Sequence, residues 1–455
     1  MSETPRQPRA DDPAAGERVR PARALLLFAA ALLTGGFAGL LGSVLRIVLA
    51  RADVFRAEVT AWAHRSPAWG WVVPVVGVAA LVGIARWLTR RWAPDAAGSG
   101  IPQVEGVVRE NAPLGSRWIN PVKFVGGVLG LGAGLALGRE GPTVQMGAVA
   151  GQRVGRLFRV SAADVRRLVA AGSGAGLAAA FTAPLGGAVF VLEEILQRFE
   201  LRSVVITLTA CSASIGLTYQ LLGTAPNFHV PPVLPPSFLH FAFYLGLGIP
   251  LGLLGAAYNW FVLRGLDFTG PFTGRRSDLV AAGIGALVGL VEWLLPDAVG
   301  GGDAIAQRLL DGPGTLSALL GLLVLRFLLG PLSYAARTPG GLFAPLLVVG
   351  GTIGALSGLA AHAVSPWLLP DPRALTLVGM AGFFAATVRA PITGIALALE
   401  LTGVSTLFVP MLAASSVAAV VPTLLGNPPI YDSLRERARP QDEAPAGRTA
   451  AARPS

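Results

Sequence analysis

The sequence predicts an all-α membrane protein that crosses the bilayer repeatedly on interrupted helices, and three observations carry that prediction. Hydrophobic residues make up 53% of the 455-residue chain and charged residues only 14%, where soluble domains carry about 25% charged residues. Mean hydropathy is +0.60. The chain also holds 58 glycines and 35 prolines, set within apolar sequence and not in polar low-complexity tracts, so the spanning helices must be broken. No central stretch has the polar composition of a separate soluble unit, and one membrane domain is expected.

Residues 1–23, rich in Pro, Ala and Arg, read as a disordered N-terminal tail and not as a transit peptide. Residues 24–45 carry no charge and match the length needed to cross a bilayer, about 20 residues, so this stretch belongs to the mature protein. Further apolar stretches are expected at 68–88, 168–192, 203–223, 236–263, 278–295, 313–334, 341–366, 373–388 and 391–425. Pro184, Pro345 and Pro391 interrupt three of them. Irregular backbone at membrane depth survives only where protein buries it or it lines a cavity, so the breaks mark candidate binding sites. Residues 435–455 form a second tail, with no soluble regulatory domain expected beyond the membrane part. Both tails carry more arginines than acids, which favours cytoplasmic termini in a cell inner membrane. A basic cluster at Arg153, Arg156, Arg159, Arg166 and Arg167 competes with the tails for the cytoplasmic side.

The net charge is +10, and all 36 basic residues except Lys123 are arginines. They are scattered between apolar segments, so lipid headgroups or anions suit them and nucleic acid does not. One cysteine, Cys211, and four dispersed histidines, His64, His229, His240 and His362, offer neither a disulfide nor metal-ligand spacing. No metal, no cofactor and no enzymatic machinery are expected.

The chain repeats itself. Gly138, Pro142, Gly147 and Gly151 recur 203 residues later as Gly341, Pro345, Gly350 and Gly354. Ala183, Pro184, Gly187, Leu192 and Glu193 recur 207 residues later as Ala390, Pro391, Gly394, Leu399 and Glu400. Broken segments at matching places in two halves point to a transport site near the bilayer midplane. The repeat also sorts the acids. Glu193 and Glu400 are twins, which suits a shared structural task such as accepting hydrogen bonds from backbone amides. Glu140 and Glu194 face Phe343 and Leu401 in the other half and are the asymmetric acids, each a functional candidate because an ionisable group within a membrane segment is costly.

Three segments have a glycine-rich turn followed by a proline that can open a helix: GSGIP at 98–102, GREGP at 138–142 and GLFAP at 341–345. Amides at a helix start carry about half a positive charge, so several starts converging within the membrane would hold an anion weakly enough to release it. Taken alone, Ser99 reads as a turn or cap serine, Tyr431 as an interfacial tyrosine, Glu140 as a partner of Arg139, and Glu194 as a helix-end acid near Arg198. Lys123 within an apolar run raises the local positive potential or pairs with a buried acid, with direct chloride contact as the lesser option.

In this order, and with Tyr431 near the end of the last apolar segment, these pentapeptides resemble the signature of the CLC family of chloride channels and proton-coupled chloride transporters. PVKF at 121–124, APLGGAVFVLEE at 183–194, VRAPITG at 388–394 and ALELTG at 398–403 extend the resemblance over about 90–434. It implies an inverted repeat of tilted, partly spanning helices, with a membrane domain at 24–434 in two halves, about 24–222 and 236–434, usually in a homodimer. It further implies chloride binding by the hydroxyls of Ser99 and Tyr431 and the amides of Leu342 and Phe343, flanked by Gly98, Gly100, Ile101, Pro102, Gly138, Arg139, Gly141, Pro142 and Lys123. Glu140 becomes the external gate, and Glu194 the internal proton acceptor that family channels generally lack. Serine in GSGIP favours chloride over nitrate. The function so implied is proton/chloride antiport, with a passive voltage- or pH-gated chloride channel as the alternative.

Overall fold

The computed structural model describes residues 21–233, 237, 240–312, 314–364 and 371–438, and these are almost entirely helical, with no strand among them. The start assigned to the second half, residue 236, lies outside the described residues, as do most of both predicted tails. Residues 21–23 and 435–438 are the exceptions and are helical.

The first half comprises α1 (Pro21–Ala63), α2 (Val72–Trp92), α3 (Ile101–Glu110), α4 (Ile119–Gly132), α5 (Glu140–Leu157), α6 (Ala162–Phe181), α7 (Pro184–Phe190) and α8 (Leu201–Leu222). A wide π turn, Val191–Leu196, continues α7. The second comprises α9 (Phe241–Thr269), α10 (Gly274–Leu294), α11 (Asp303–Asp311), α12 (Leu316–Ala335), α13 (Phe343–Val364), α14 (Pro372–Val388), α15 (Pro391–Thr402), α16 (Phe408–Leu424) and α17 (Ile430–Ala438). Seven of these, α1, α2, α8, α9, α10, α12 and α13, are long and apolar enough to cross a membrane.

Helix α1 runs well past the apolar stretch that announced it. Its 43 residues span about 65 Å, and its later charges find partners: Arg46 donates to the carbonyl of Ala179 and the hydroxyl of Thr182, and Arg56 lies 3.5 Å from Glu292. The apolar stretch at 168–192 divides in two at Thr182–Pro184, while that at 391–425 is set off from α14 at its start and divides after Thr402, where Gly403 ends α15. Thr182 and Arg389 end α6 and α14 in the left-handed conformation, and Pro184 and Pro391 then open α7 and α15. A proline disfavours helical backbone in the residue before it, so each break is written in the sequence.

The core is a double pair, α5 on α6 and α13 on α14. Its close approach depends on glycines that obey the repeat. A side chain at Gly147 would strike the carbonyl of Gly172, and one at Gly151 that of Leu168; in the second half Gly350 meets Gly379 and Gly354 meets Leu375 in the same way. Around this core, α1, α2, α8, α9, α10, α12 and α16 each turn large apolar side chains outward, among them Phe37, Val205, Trp260 and Val409, as helices facing lipid must.

Candidate functional site

The three glycine turns meet at the centre of the molecule and are hydrogen-bonded to one another. The amide of Gly98 donates to the carbonyl of Thr338 (3.1 Å), and that of Gly340 to the carbonyl of Gly98 (3.0 Å). Gly138 and Gly341 exchange both of their hydrogen bonds, at 2.8 and 2.7 Å. The segment 338–341 thus stitches GSGIP to GREGP. Contact is close enough to exclude side chains: a Cβ on Gly141 would lie 2.7 Å from Cα of Ser99, and one on Gly341 would lie 2.8 Å from the amide nitrogen of Gly141. The arrangement brings together the starts of α3, α5 and α13, whose first-turn amides have no partner within their own helices.

Ser99 is fully buried, and its hydroxyl accepts a hydrogen bond from the amide of Ile101 (3.3 Å). Lys123, also fully buried, donates from Nζ to the carbonyl of Gly98 at 2.7 Å. No acid pairs with Lys123 among the described residues: its partner is a carbonyl of the serine turn, which the lysine both braces and polarises. Leu342 and Phe343 open α13. The Phe343 ring lies against Phe190, Phe384 and Phe181 and is stacked on Tyr431, 6.1 Å between centroids. This apolar cluster fixes the Tyr431 ring, while its buried hydroxyl has no hydrogen-bond partner among the described residues. That hydroxyl lies within electrostatic range of Tyr334, Glu140, Glu105 and Glu194.

Glu140 is the first residue of α5, is 1% exposed, and neither carboxylate oxygen completes a hydrogen bond among the described residues. The amides of Glu140 itself and of Ala344 lie close to it. Arg139 does not neutralise it as an ion-pair partner would: its guanidinium lies 2.7 Å from Asp303 and donates to the carbonyl of Ala180. On one side of Glu140 a cavity of about 180 Å³ opens, lined by Arg139, Asp303, Asp53, Arg56 and Ala344 among others. Burying a carboxylate with so little compensation costs several kcal/mol, which makes Glu140 a candidate functional group.

Glu194 sits in the π turn after α7, 4% exposed, in a type of local widening that recurs at functional positions. Its carboxyl meets that of Glu105, from α3. Glu105 is fully buried and lies 3.1 Å from Arg435 of α17, which also pairs with Asp432 (2.8 Å) and Glu110 (3.3 Å). The guanidiniums of Arg109 and Arg435 both lie near this carboxyl pair, and two touching carboxyls disfavour ionising together. Arg109 holds the turn by donating to the carbonyl of Ile195 (2.9 Å).

The twin acids behave as the repeat anticipates. Glu193 accepts from the amides of Ile392 and Thr393, and Glu400 from those of Leu185 and Gly186. Two site neighbours escaped sequence reasoning. Glu105 lies in the middle of α3, a helix that also carries Gln103, Arg109 and Glu110, so nothing local in the sequence set it apart. Tyr334 places its hydroxyl 3.4 Å from the amide of Ser99, and only its nearness to GLFAP in the chain hinted at this. No group of three His, Cys, Asp or Glu suited to a metal occurs among the described residues.

The family model described as voltage gated chloride channel matches residues 81–423. An H(+)/Cl(-) exchange transporter ClcA of Vibrio vulnificus is 36% identical over 431 residues, 92% of this chain and 91% of its own length. A ClcA exchange transporter of Vibrio cholerae is 36% identical over 421 residues, 89% of this chain and 88% of its own. Among solved structures, a slow cyanobacterial Cl-/H+ antiporter superposes with a TM-score of 0.86 at 31% identity, covering 90% of this chain and 97% of that one.

Proposed function

Since the chain belongs to the voltage gated chloride channel (CLC) family, we propose that this multi-pass membrane protein exchanges chloride for protons, moving them in opposite directions. The observation that carries the reading is the buried carboxylate of Glu140, without a hydrogen-bond partner among the described residues, between the 180 Å³ cavity and the converging helix starts. Ionised, it occupies the place an anion would take beside the amides of α5 and α13. Protonated, it loses its attraction for those amides and leaves, and chloride replaces it. One side chain therefore answers to both ions, which is the requirement for coupling.

Chloride in this reading is held by the hydroxyls of Ser99 and Tyr431 and by the amides of Leu342 and Phe343, all neutral donors. Lys123 acts through the Gly98 carbonyl, keeping the serine turn in place. Protons reach Glu140 from Glu194, with Glu105 as the second member of a carboxyl pair, by a route that parts from the chloride path at the inner mouth. Chloride and protons are the cargo, and the protein's own side chains suffice for the cycle with no cofactor. The inner membrane, cytoplasmic termini and a homodimer are part of the same proposal; the outward apolar side chains of α8 and α16, including Val205, Leu208, Val409 and Leu412, suit a subunit contact.

The test is proton-driven chloride accumulation. Proteoliposomes with an acidic interior, equal chloride on both sides and the membrane potential clamped by potassium and valinomycin are predicted to take up chloride as protons leave. Proton gradients that dissipate without chloride uptake would exclude exchange.

A further inference from the structure

Beside the turn that carries Glu194, a cavity of about 290 Å³ opens at the edge of the protein. Its lining includes Arg109 from α3, Arg166 and Arg167 from α6, Arg198 and Glu200 from the connection to α8, and Ser203. Four guanidiniums thus face one carboxylate. Arg167 is committed to Asp164 and Glu200, at 2.9 and 2.8 Å. Arg109 uses Nε on the Ile195 carbonyl and leaves one buried Nη without a hydrogen-bond partner. Arg166 and Arg198 make no ion pair or hydrogen bond among the described residues. Nearby, Arg23 and Arg202 surround Asp164 at 2.9 and 3.0 Å, so that acid has no charge to spare for the cavity.

We propose that this cavity binds a phosphate group, presented by an anionic lipid headgroup or by a soluble phosphate ester. Chloride is too small to touch guanidiniums on opposite walls of such a space, and a carboxylate has only two acceptor oxygens. A phosphate offers several oxygens to planar guanidinium forks, which bind it by paired, charge-assisted hydrogen bonds. The surroundings of the cavity favour the lipid source. Phe199 and Leu201 alternate along the chain with the lining residues Arg198 and Glu200 and are 76% and 79% exposed, an apolar surface beside the basic lining that suits the acyl chains of a lipid whose headgroup the arginines hold. Basic pockets between membrane helices hold anionic headgroups. A bound phosphate would tie α3, α6 and the end of the Glu194 turn together through Arg109, Arg166 and Arg198. Binding itself does not depend on the exchange reading.

The test compares the full-length wild-type chain with the double variant Arg166→Gln/Arg198→Gln. Native mass spectrometry from nanodiscs of equal parts phosphatidylglycerol and phosphatidylcholine reads the lipid arm, and calorimetric titration with glycerol 3-phosphate in detergent reads the soluble arm. Selective retention of phosphatidylglycerol by the wild type, about tenfold weaker in the variant, supports a lipid phosphate. Saturable binding of glycerol 3-phosphate that the variant loses supports the same chemistry from a soluble source. Equal retention of both lipids by both proteins, with no titration of the soluble ester, overturns the proposal. Arg198→Gln alone alters one exposed connection residue and keeps the comparison available should the double variant fail to fold.

Discussion

Glu193 and Glu400 cap each other's half of the molecule. Glu193 lies 3.0 and 2.7 Å from the amides of Ile392 and Thr393, and Glu400 lies 3.0 and 2.7 Å from those of Leu185 and Gly186. The two acids, related by the internal repeat, bind α15 to the end of α7 and α7 to the end of α15. Each satisfies two amides at a helix start and meets the positive end of the helix dipole.

Replacing either acid by glutamine removes the charge from two such hydrogen bonds. Glu193→Gln and Glu400→Gln are each predicted to cost about 2 kcal/mol of stability, read as similar falls in the midpoint of thermal inactivation. A large loss for one variant and none for the other would deny the reciprocal role.

Gly141 sets the distance between the GREGP turn and the serine turn. In Gly141→Ala the new methyl would sit 2.7 Å from Cα of Ser99, so the backbone of one turn must move. A displacement of this size at a binding site costs about tenfold or more in rate, and chloride flux in the purified, monodisperse variant should fall by at least that factor. Unchanged flux would mean that Ser99 is not positioned by this contact.

The proposed role of Glu140 predicts a pH dependence of definite sign. Protonation discharges the carboxylate and weakens its hold on the anion place, so chloride flux is predicted to rise as pH falls on the gate side. Glu140→Ala has no carboxylate to titrate and should carry chloride at a rate insensitive to pH. A variant whose flux still climbs in acid would assign the sensitivity to another group.

Glu194→Gln keeps the shape of the side chain in the π turn but cannot release a proton. Proton flux should disappear while chloride flux persists, measured in the same vesicles with paired electrodes. If chloride flux vanishes too in well-folded protein, Glu194 supports the turn and is not a proton acceptor.

Much of this site was legible because its chemistry is written in short, contiguous turns. GSGIP, GREGP and GLFAP each state their own local geometry, and the glycine spacing that let α5 approach α6 announced the repeat before any contact was known. The Pro184 and Pro391 breaks were likewise local. Glu105 and Tyr334 were not legible, because their importance arises from what the fold sets against them: Glu194 for the one, the Ser99 amide for the other. Helix α5 does not stand out as apolar for a related reason: Glu140, Thr143 and Gln145 dilute its hydropathy, yet all are buried, since they face protein. Helix α4 is apolar but has only 14 residues, too few to cross a bilayer alone. The extension of α1 through Arg46 and Arg56 depended on partners, Thr182 and Glu292, far away in the chain.

The central claim is coupling through Glu140, and proton movement driven by chloride tests it most directly. Liposomes containing the purified protein are loaded with chloride and diluted into low chloride with no initial pH difference, the charge being balanced by potassium and valinomycin. The account predicts that protons move inward against no gradient of their own as chloride leaves, and that Glu140→Ala releases chloride with no proton movement. Chloride efflux from the wild-type protein without proton uptake would contradict it.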